Sequence, residues 1–262
     1  MSLIVHNAHV YLWDQGTGIP TLLLHGNPDT ADLWSGVIAS LQTQYRCLAP
    51  DLPGFGRSIA PPDFDCSLTH WSHFVDDLLA ALQITEPINL VLHDLGGNIG
   101  LAWAVMHPAK VRRLVISNTW FFADYRWHFW ARVWRTPILG ELSMRLTNWW
   151  LFRWELRRGS PQLTTDHLRR TYAYVTPSMQ RMVLRIYRAF DPATMRGWEE
   201  QLLALTAQTP TCVLWGVRDP YIPRHFAERF GAQDVAYFPE NGHWLPAEAP
   251  AAVARKLQTF LA

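Results

Sequence analysis

The chain has 262 residues, 49% of them hydrophobic and 17% charged, with a formal net charge of +1. That is enough apolar material for one sizeable core, and the balanced charge excludes a global field that would gather nucleic acid. Three scattered cysteines (Cys47, Cys66 and Cys212) give neither a metal spacing nor a disulfide framework, which fits a reducing, cytoplasmic setting. The first residues, MSLIVHNAHVY, carry no basic region and no long apolar run, so no signal peptide is expected, and no uncharged stretch approaches the length of a membrane span.

In chain order, residues 3–13 alternate as a strand, and DQGTG follows as a turn, together suggesting a hairpin. TLLLHG (21–26) is a short buried strand. ADLWSGVIASL (31–41) has helical spacing, YRCLAPD (45–51) is a strand, and THWSHFVDDLLAALQI (69–84) is an amphipathic helix with Thr69 as its candidate cap. INLVLHD (88–94) is a strand, NIGLAWAVMHP (98–108) a helix stopped by Pro108, and VRRLVISN (111–118) a strand. This alternation predicts a parallel sheet with helical crossovers.

From Trp120 to about Glu200 the pattern turns helical, with breaks near 137, 159–161, 177 and 192. The α/β order resumes at TCVLWG (211–216), a helix near 223–231, DVAYFP (234–239) and a helix from Pro250. The expected architecture is α/β: an α/β-hydrolase fold with a mostly parallel eight-stranded sheet. Residues 1–119 and 201–262 would form the core, and 120–200 a helical cap over the carboxyl edge of the sheet, where open α/β sheets bind ligands. Seven of the fourteen tryptophans fall between Trp120 and Trp154, among many arginines. The favoured reading is a lobe with aromatic undersides and solvated arginine faces. Contact with a membrane surface is the lesser reading, assigned to ARVWRTPILGELSMRL (131–146).

VLHDLGGNIG (91–100) places an acid where a strand becomes a helix, with Gly96 and Gly97 behind it. A helix cap is one use of Asp94. A sharp strand-to-helix turn that lifts one side chain above the sheet is the other. An ionised Asp there can attack an sp³ carbon and form an ester, which Ser does to acyl carbon. HGNP (25–28) ends the preceding buried strand, so the N–H groups of Asn27 and Leu95 are the candidate oxyanion donors. NGHW (241–244) follows the last strand and offers His243 as the base. WGVRDP (215–220) offers Asp219 to orient it, with Asp124 as the fallback. The chain order acid nucleophile, acid, base matches that of α/β-hydrolases. His93, beside the nucleophile, reads as a buried structural hydrogen-bonder.

HGNPDTADLW, DLPGFGRS, HDLGG, NTWFF, WGVRD and GHW together resemble the haloalkane dehalogenase family and the related epoxide hydrolases. NTWFF (118–122) is most similar to the branch that includes β-lactone decarboxylases of long-chain olefin synthesis. The resemblance implies a halide held by Asn27 and by a Trp after the nucleophile, but that position is Leu95, which has no side-chain donor. Trp120, Tyr125, Trp127 and Tyr187 are the cap residues expected to contact substrate. Haloalkane hydrolysis through an Asp94 ester, cleared by water that His243 activates, is the leading expectation. Epoxide hydrolysis is the next, with Tyr125, Tyr172, Tyr174 or Tyr187 as acid. β-Lactone decarboxylation and a non-catalytic ligand-binding shell complete the set. The expected partners are a small apolar organic substrate and water, with no metal, cofactor or nucleic acid, in a monomer or dimer.

Overall fold

Eight strands form one sheet in the order β1-β2-β4-β3-β5-β6-β7-β8, and the computed structural model describes all of residues 1–262. They are β1 (Ser2–Val5), β2 (Ala8–Gln15), β3 (Ile19–Leu24), β4 (Tyr45–Pro50), β5 (Ile88–His93), β6 (Val111–Ser117), β7 (Thr211–Gly216) and β8 (Asp234–Phe238). The first two strands join antiparallel, and every pairing from β4 to β8 is parallel. All six residues of β5 and of β7 are buried, as their unbroken apolar runs require in a sheet covered on both faces.

Eleven α-helices accompany the sheet: α1 (Ser35–Leu41), α2 (Leu68–Ala81), α3 (Leu95–Met106), α4 (Phe129–Arg135), α5 (Leu139–Leu146), α6 (Trp149–Gly159), α7 (Thr165–Ala173), α8 (Pro177–Ala189), α9 (Arg196–Gln208), α10 (Leu245–Glu248) and α11 (Pro250–Leu261). Helices α4 to α8 lie between β6 and β7. Their inward residues Met144, Leu156 and Met182 belong to the same hydrophobic cluster as Leu22, Leu92 and Leu214 of the sheet. One core therefore holds both layers.

Three local expectations need correction. The alternating stretch 3–13 is two strands: His6 and Asn7 adopt φ of 51° and 59° and make a tight turn without the glycine that usually marks one. Helix α2 is capped by Ser67, whose hydroxyl accepts the His70 N–H, and not by Thr69. Helix α3 begins directly after Asp94, three residues earlier than its periodicity indicates. DLPGFGRS is a braced loop: the Asp51 carboxylate accepts the N–H groups of Ala31 and Arg57 at 2.8 Å each, and the Arg57 guanidinium closes on it.

The lobe's outer surface is not arginine alone. Several large apolar side chains of α5 and α6, Leu142 and Trp150 among them, face outward beside the arginines.

A buried ion pair ties the helical layer to the sheet. His167 of α7 lies with Nε2 3.0 Å from Oδ2 of Asp29, which follows the loop after β3. Burial opposes charge on both groups, but each offsets that for the other, so His167 is raised and Asp29 lowered. The stabilisation from His167 is full below 6.5 and fades as pH rises through the higher folded value. That from Asp29 is present above 3.8 and fades as pH falls through the lower folded value. His167→Gln leaves a buried carboxylate unpaired. Urea unfolding at about pH 6 is predicted to show a loss of about 3–5 kcal/mol, shrinking as the pH is raised.

Candidate active site

Asp94 sits at the carboxyl end of β5 with φ 49° and ψ −123°, a conformation that costs a residue with a side chain on the order of 1–3 kcal/mol. The surroundings hold it there. Its carbonyl accepts the Gly97 N–H at 2.8 Å and the Thr119 hydroxyl at 2.7 Å. The bend brings α3 against β3 so closely that a Cβ at Gly96 would overlap the backbone of Leu24 and His25. This is why the glycines follow the acid.

The Asp94 side chain makes no capping bond to α3. Oδ1 instead accepts the Asn27 N–H at 2.8 Å, and Oδ2 lies 3.4 Å from Nε2 of His243. Nδ1 of His243 lies 2.7 Å from Oδ2 of Asp219. Oδ1 of Asp219 accepts the N–H groups of Tyr221 and Ile222, at 2.7 and 3.1 Å, so this carboxylate cannot turn away. Asp94, His243 and Asp219 thus form one chain of contacts. Asp124 is on the surface, paired with Arg229 at 2.7 Å, and takes no part.

Charge follows from this geometry. Burial works against an imidazolium at His243, but Asp219 and Asp94 on either side outweigh it and raise its pKa. Burial likewise works against the Asp94 carboxylate, yet His243 beside it holds it below the ordinary carboxylate range. The resting site is one imidazolium between two carboxylates. His93 touches the His243 ring with centroids 4.9 Å apart, and burial lowers it to about 4, so it adds no charge. Its Nδ1 lies 3.3 Å from the Ser117 carbonyl, while Nε2 has no partner.

Above Asp94 and His243 lies a cavity of about 120 Å³ walled mainly by apolar side chains. Trp120, Tyr125, Trp127 and Tyr187 all line it. Trp120 is fixed by the Asn98 amide on its carbonyl and by a stack on Tyr125 at 4.5 Å. The Tyr125 hydroxyl is spent on the Tyr221 carbonyl at 3.3 Å. Tyr187 places its hydroxyl 3.5 Å from Nδ2 of Asn27, whose Oδ1 is buried without a partner. Tyr172 packs on Trp149 and Phe152, and Tyr174 lies near Arg57; neither reaches the cavity. Leu95 lies buried at the cavity floor beside Asp94, in a small side pocket.

Several participants have roles that the local sequence does not reveal. Asn118 donates to Asp219 Oδ2 at 2.9 Å and accepts the Gly216 N–H at 2.9 Å, clamping the ends of β6 and β7 together. His128 caps α4 through Nδ1, which accepts the Ala131 N–H, and lines the cavity. Burial lowers it to about 4, so its neutral ring carries the proton on Nε2. The corner after α6 braces the histidine: Gly159 and Ser160 accept the N–H groups of His243 and Trp244, at 2.9 and 2.7 Å.

Gly26 packs against the Asp94 carboxylate, and a Cβ there would overlap it. Gly26→Ala is predicted to melt within a few degrees of the parent while kcat falls about a hundredfold, because the side chain is displaced from its donors. Thermal unfolding and steady-state kinetics on the same preparation check this.

The chain matches the α/β-hydrolase fold family over residues 20–250. It is 30% identical to a cis-3-alkyl-4-alkyloxetan-2-one decarboxylase of Xanthomonas campestris pv. campestris, over 93% of this chain and 88% of that one. It is 27% identical to haloalkane dehalogenase 2 of Mycobacterium bovis, over 94% of this chain and 88% of that one. The crystal structure of the Cif epoxide hydrolase from Acinetobacter nosocomialis superposes with a TM-score of 0.85 at 20% identity, covering 100% of this chain and 88% of that one. The sheet order, the bend at residue 94 and these matches agree: the chain belongs to the α/β-hydrolase fold family.

Proposed function

We propose that Asp94 is a nucleophile that bonds to an sp³ carbon of a long apolar substrate and displaces an oxygen leaving group, with a dialkyl β-lactone as the substrate class. The observation that carries this is the uncapped Asp94 carboxylate, ionised and aimed beneath an apolar cavity. The relatives named as oxetanone decarboxylases support the lactone. Leu95 supports it as well. A departing halide needs several donors, and a missing charge-assisted bond, at about 1.5–3 kcal/mol, slows its loss by roughly ten- to a hundredfold. A strained ring releases a carboxylate more readily.

In this reading an Asp94 oxygen bonds to the ring carbon while the ring C–O bond breaks and its electron pair becomes a free carboxylate. That carboxylate then leaves as CO₂. The electron pair of the broken C–C bond forms the alkene and expels Asp94 as a carboxylate. Neither water nor a proton is consumed. His243 remains an imidazolium throughout, because the negative charge passes from Asp94 to the substrate carboxylate beside it. Asn27 and Tyr187 face the opening ring. The two ends of the Asn27 amide are alike in shape; with them exchanged, Oδ1 takes the Tyr187 hydroxyl and Nδ2 points its N–H groups at the anion.

Haloalkane hydrolysis is the second reading, favoured by Asn27 and by the relatives named as dehalogenases. There the charge departs with halide. His243 loses one of the two anions that raise it, becomes neutral and takes a proton from the water that attacks the ester.

Oxygen labelling separates the two. After a single turnover of a long-chain β-lactone in H₂¹⁸O, the Asp94 peptide is predicted to carry no label and the product to be an alkene. One ¹⁸O in Asp94 with a hydroxylated product would instead establish a hydrolytic enzyme. Asp94→Asn is predicted to abolish either reaction. The alkylation step, followed by rapid quench, is predicted to be flat through neutral pH and to fall only as the pH approaches about 2, since Asp94 is held below the usual range.

A further inference from the structure

The outer face of α5 and α6 is apolar and has no protein covering it. Ile138, Leu139, Leu142, Leu146, Trp150 and Trp154 are each at least half exposed, from 50% for Leu142 to 79% for Ile138. They are ordered by helix geometry. Leu139, Leu142 and Leu146 recur at three and four residues along one stripe of α5, while Gly140 and Met144 on another side are buried. Trp150 and Trp154 repeat the arrangement on α6, whose opposite side supplies Leu151, Phe152 and Leu156 to the cavity wall. The same two helices therefore roof the cavity from within and present apolar side chains outside. Exposed apolar side chains concentrated on two consecutive helices mark a contact site.

Charge identifies the occupant. Residues 126–188 contain twelve arginines, no lysine and three acids, although the whole chain carries only +1. Each of the three acids is already paired with an arginine: Glu141 with Arg188, Glu155 with Arg158 and Asp166 with Arg170. Arg145 follows Met144 on α5 and is exposed, Arg153 precedes Trp154 on α6, and Arg158 lies over the Trp154 ring at 6.0 Å. Exposed leucines, tryptophans that favour the headgroup level and a positive rim together match an anionic bilayer surface. No helix is long and apolar enough to cross a membrane, so the contact lies in the plane of the surface.

We infer that the protein docks on anionic lipid through the outer face of α5 and α6, setting the roof of its cavity against the membrane from which a long apolar substrate would enter. Docking does not depend on the chemistry at Asp94, and its test needs no turnover.

The test is co-sedimentation of the full chain with vesicles of phosphatidylglycerol and phosphatidylcholine in equal parts, alongside pure phosphatidylcholine. Binding is expected to the mixed vesicles at low salt, to weaken as salt is raised, and to be at least tenfold weaker to the neutral ones. Arg145→Gln and Arg153→Gln should each weaken it about fivefold. Leu142→Glu with Trp150→Glu should abolish it while the melting temperature stays unchanged. Should that double variant fail to fold, the two arginine variants still decide. Absence of binding by the parent, or equal binding to neutral vesicles, overturns the inference. So does a dimer in sedimentation velocity that Leu142→Glu with Trp150→Glu converts to monomer, since the face would then belong to a second copy.

Discussion

Two carboxylates sharing one buried imidazolium are the interaction on which the rest of this structure depends. Asp94 and Asp219 come from the ends of different strands, and His243 stands between them at 3.4 and 2.7 Å. Burial opposes the charge on both Asp94 and His243, and each offsets that cost for the other. Together they leave a net negative charge on the one group that points at the cavity. The strained backbone at Asp94 is the local cost of that placement. Parallel β5, the glycines behind the bend and the Thr119 hydroxyl supply the structure that bears it.

The helical layer is part of this arrangement and not only its cover. The corner after α6 accepts the backbone N–H of His243, and Gly242 must be glycine there because a Cβ would overlap the Gly159 carbonyl. The Asp29–His167 pair fixes α7 to the loop that carries Asn27. Displacing the layer would therefore loosen both His243 and the loop that carries Asn27. In this way the segment that shapes the cavity also positions the groups beneath it.

The parallel sheet was legible because its strands are unbroken apolar runs separated by helical periodicity. Asp94, Asp219 and His243 were legible for a related reason: each follows a recognisable strand, and β-strand ends converge at one edge of such a sheet. Less could be read where the signal is not local. The turn at His6 and Asn7 lacks glycine, so alternation ran through it. Helix α3 starts early because tertiary contacts around residue 94 impose the bend, which periodicity does not register. Asn118 reads as an amide at a strand end, and only the adjacent end of β7 shows what it clamps. His128 and Tyr221 reach the cavity from the loops after β6 and β7, whose course no spacing specifies. Tyr172 and Tyr174, equivalent in sequence to Tyr125 and Tyr187 as hydroxyl sources, are separated from them by helix packing. The outward leucines and tryptophans were visible as composition, but their direction was set only once α5 and α6 had buried their other faces.

The central claim is that the Asp94 carboxylate becomes covalently bonded to substrate carbon. A long-chain 1,2-epoxide gives an ester with no carboxylate to lose, so clearance would fall to His243-activated water. With His243→Gln, intact mass followed by peptide mapping is predicted to find the mass of one whole epoxide on Asp94, and none in the variant that also carries Asp94→Asn. An adduct on another residue, or none at all while the parent protein turns the epoxide over, would contradict the account.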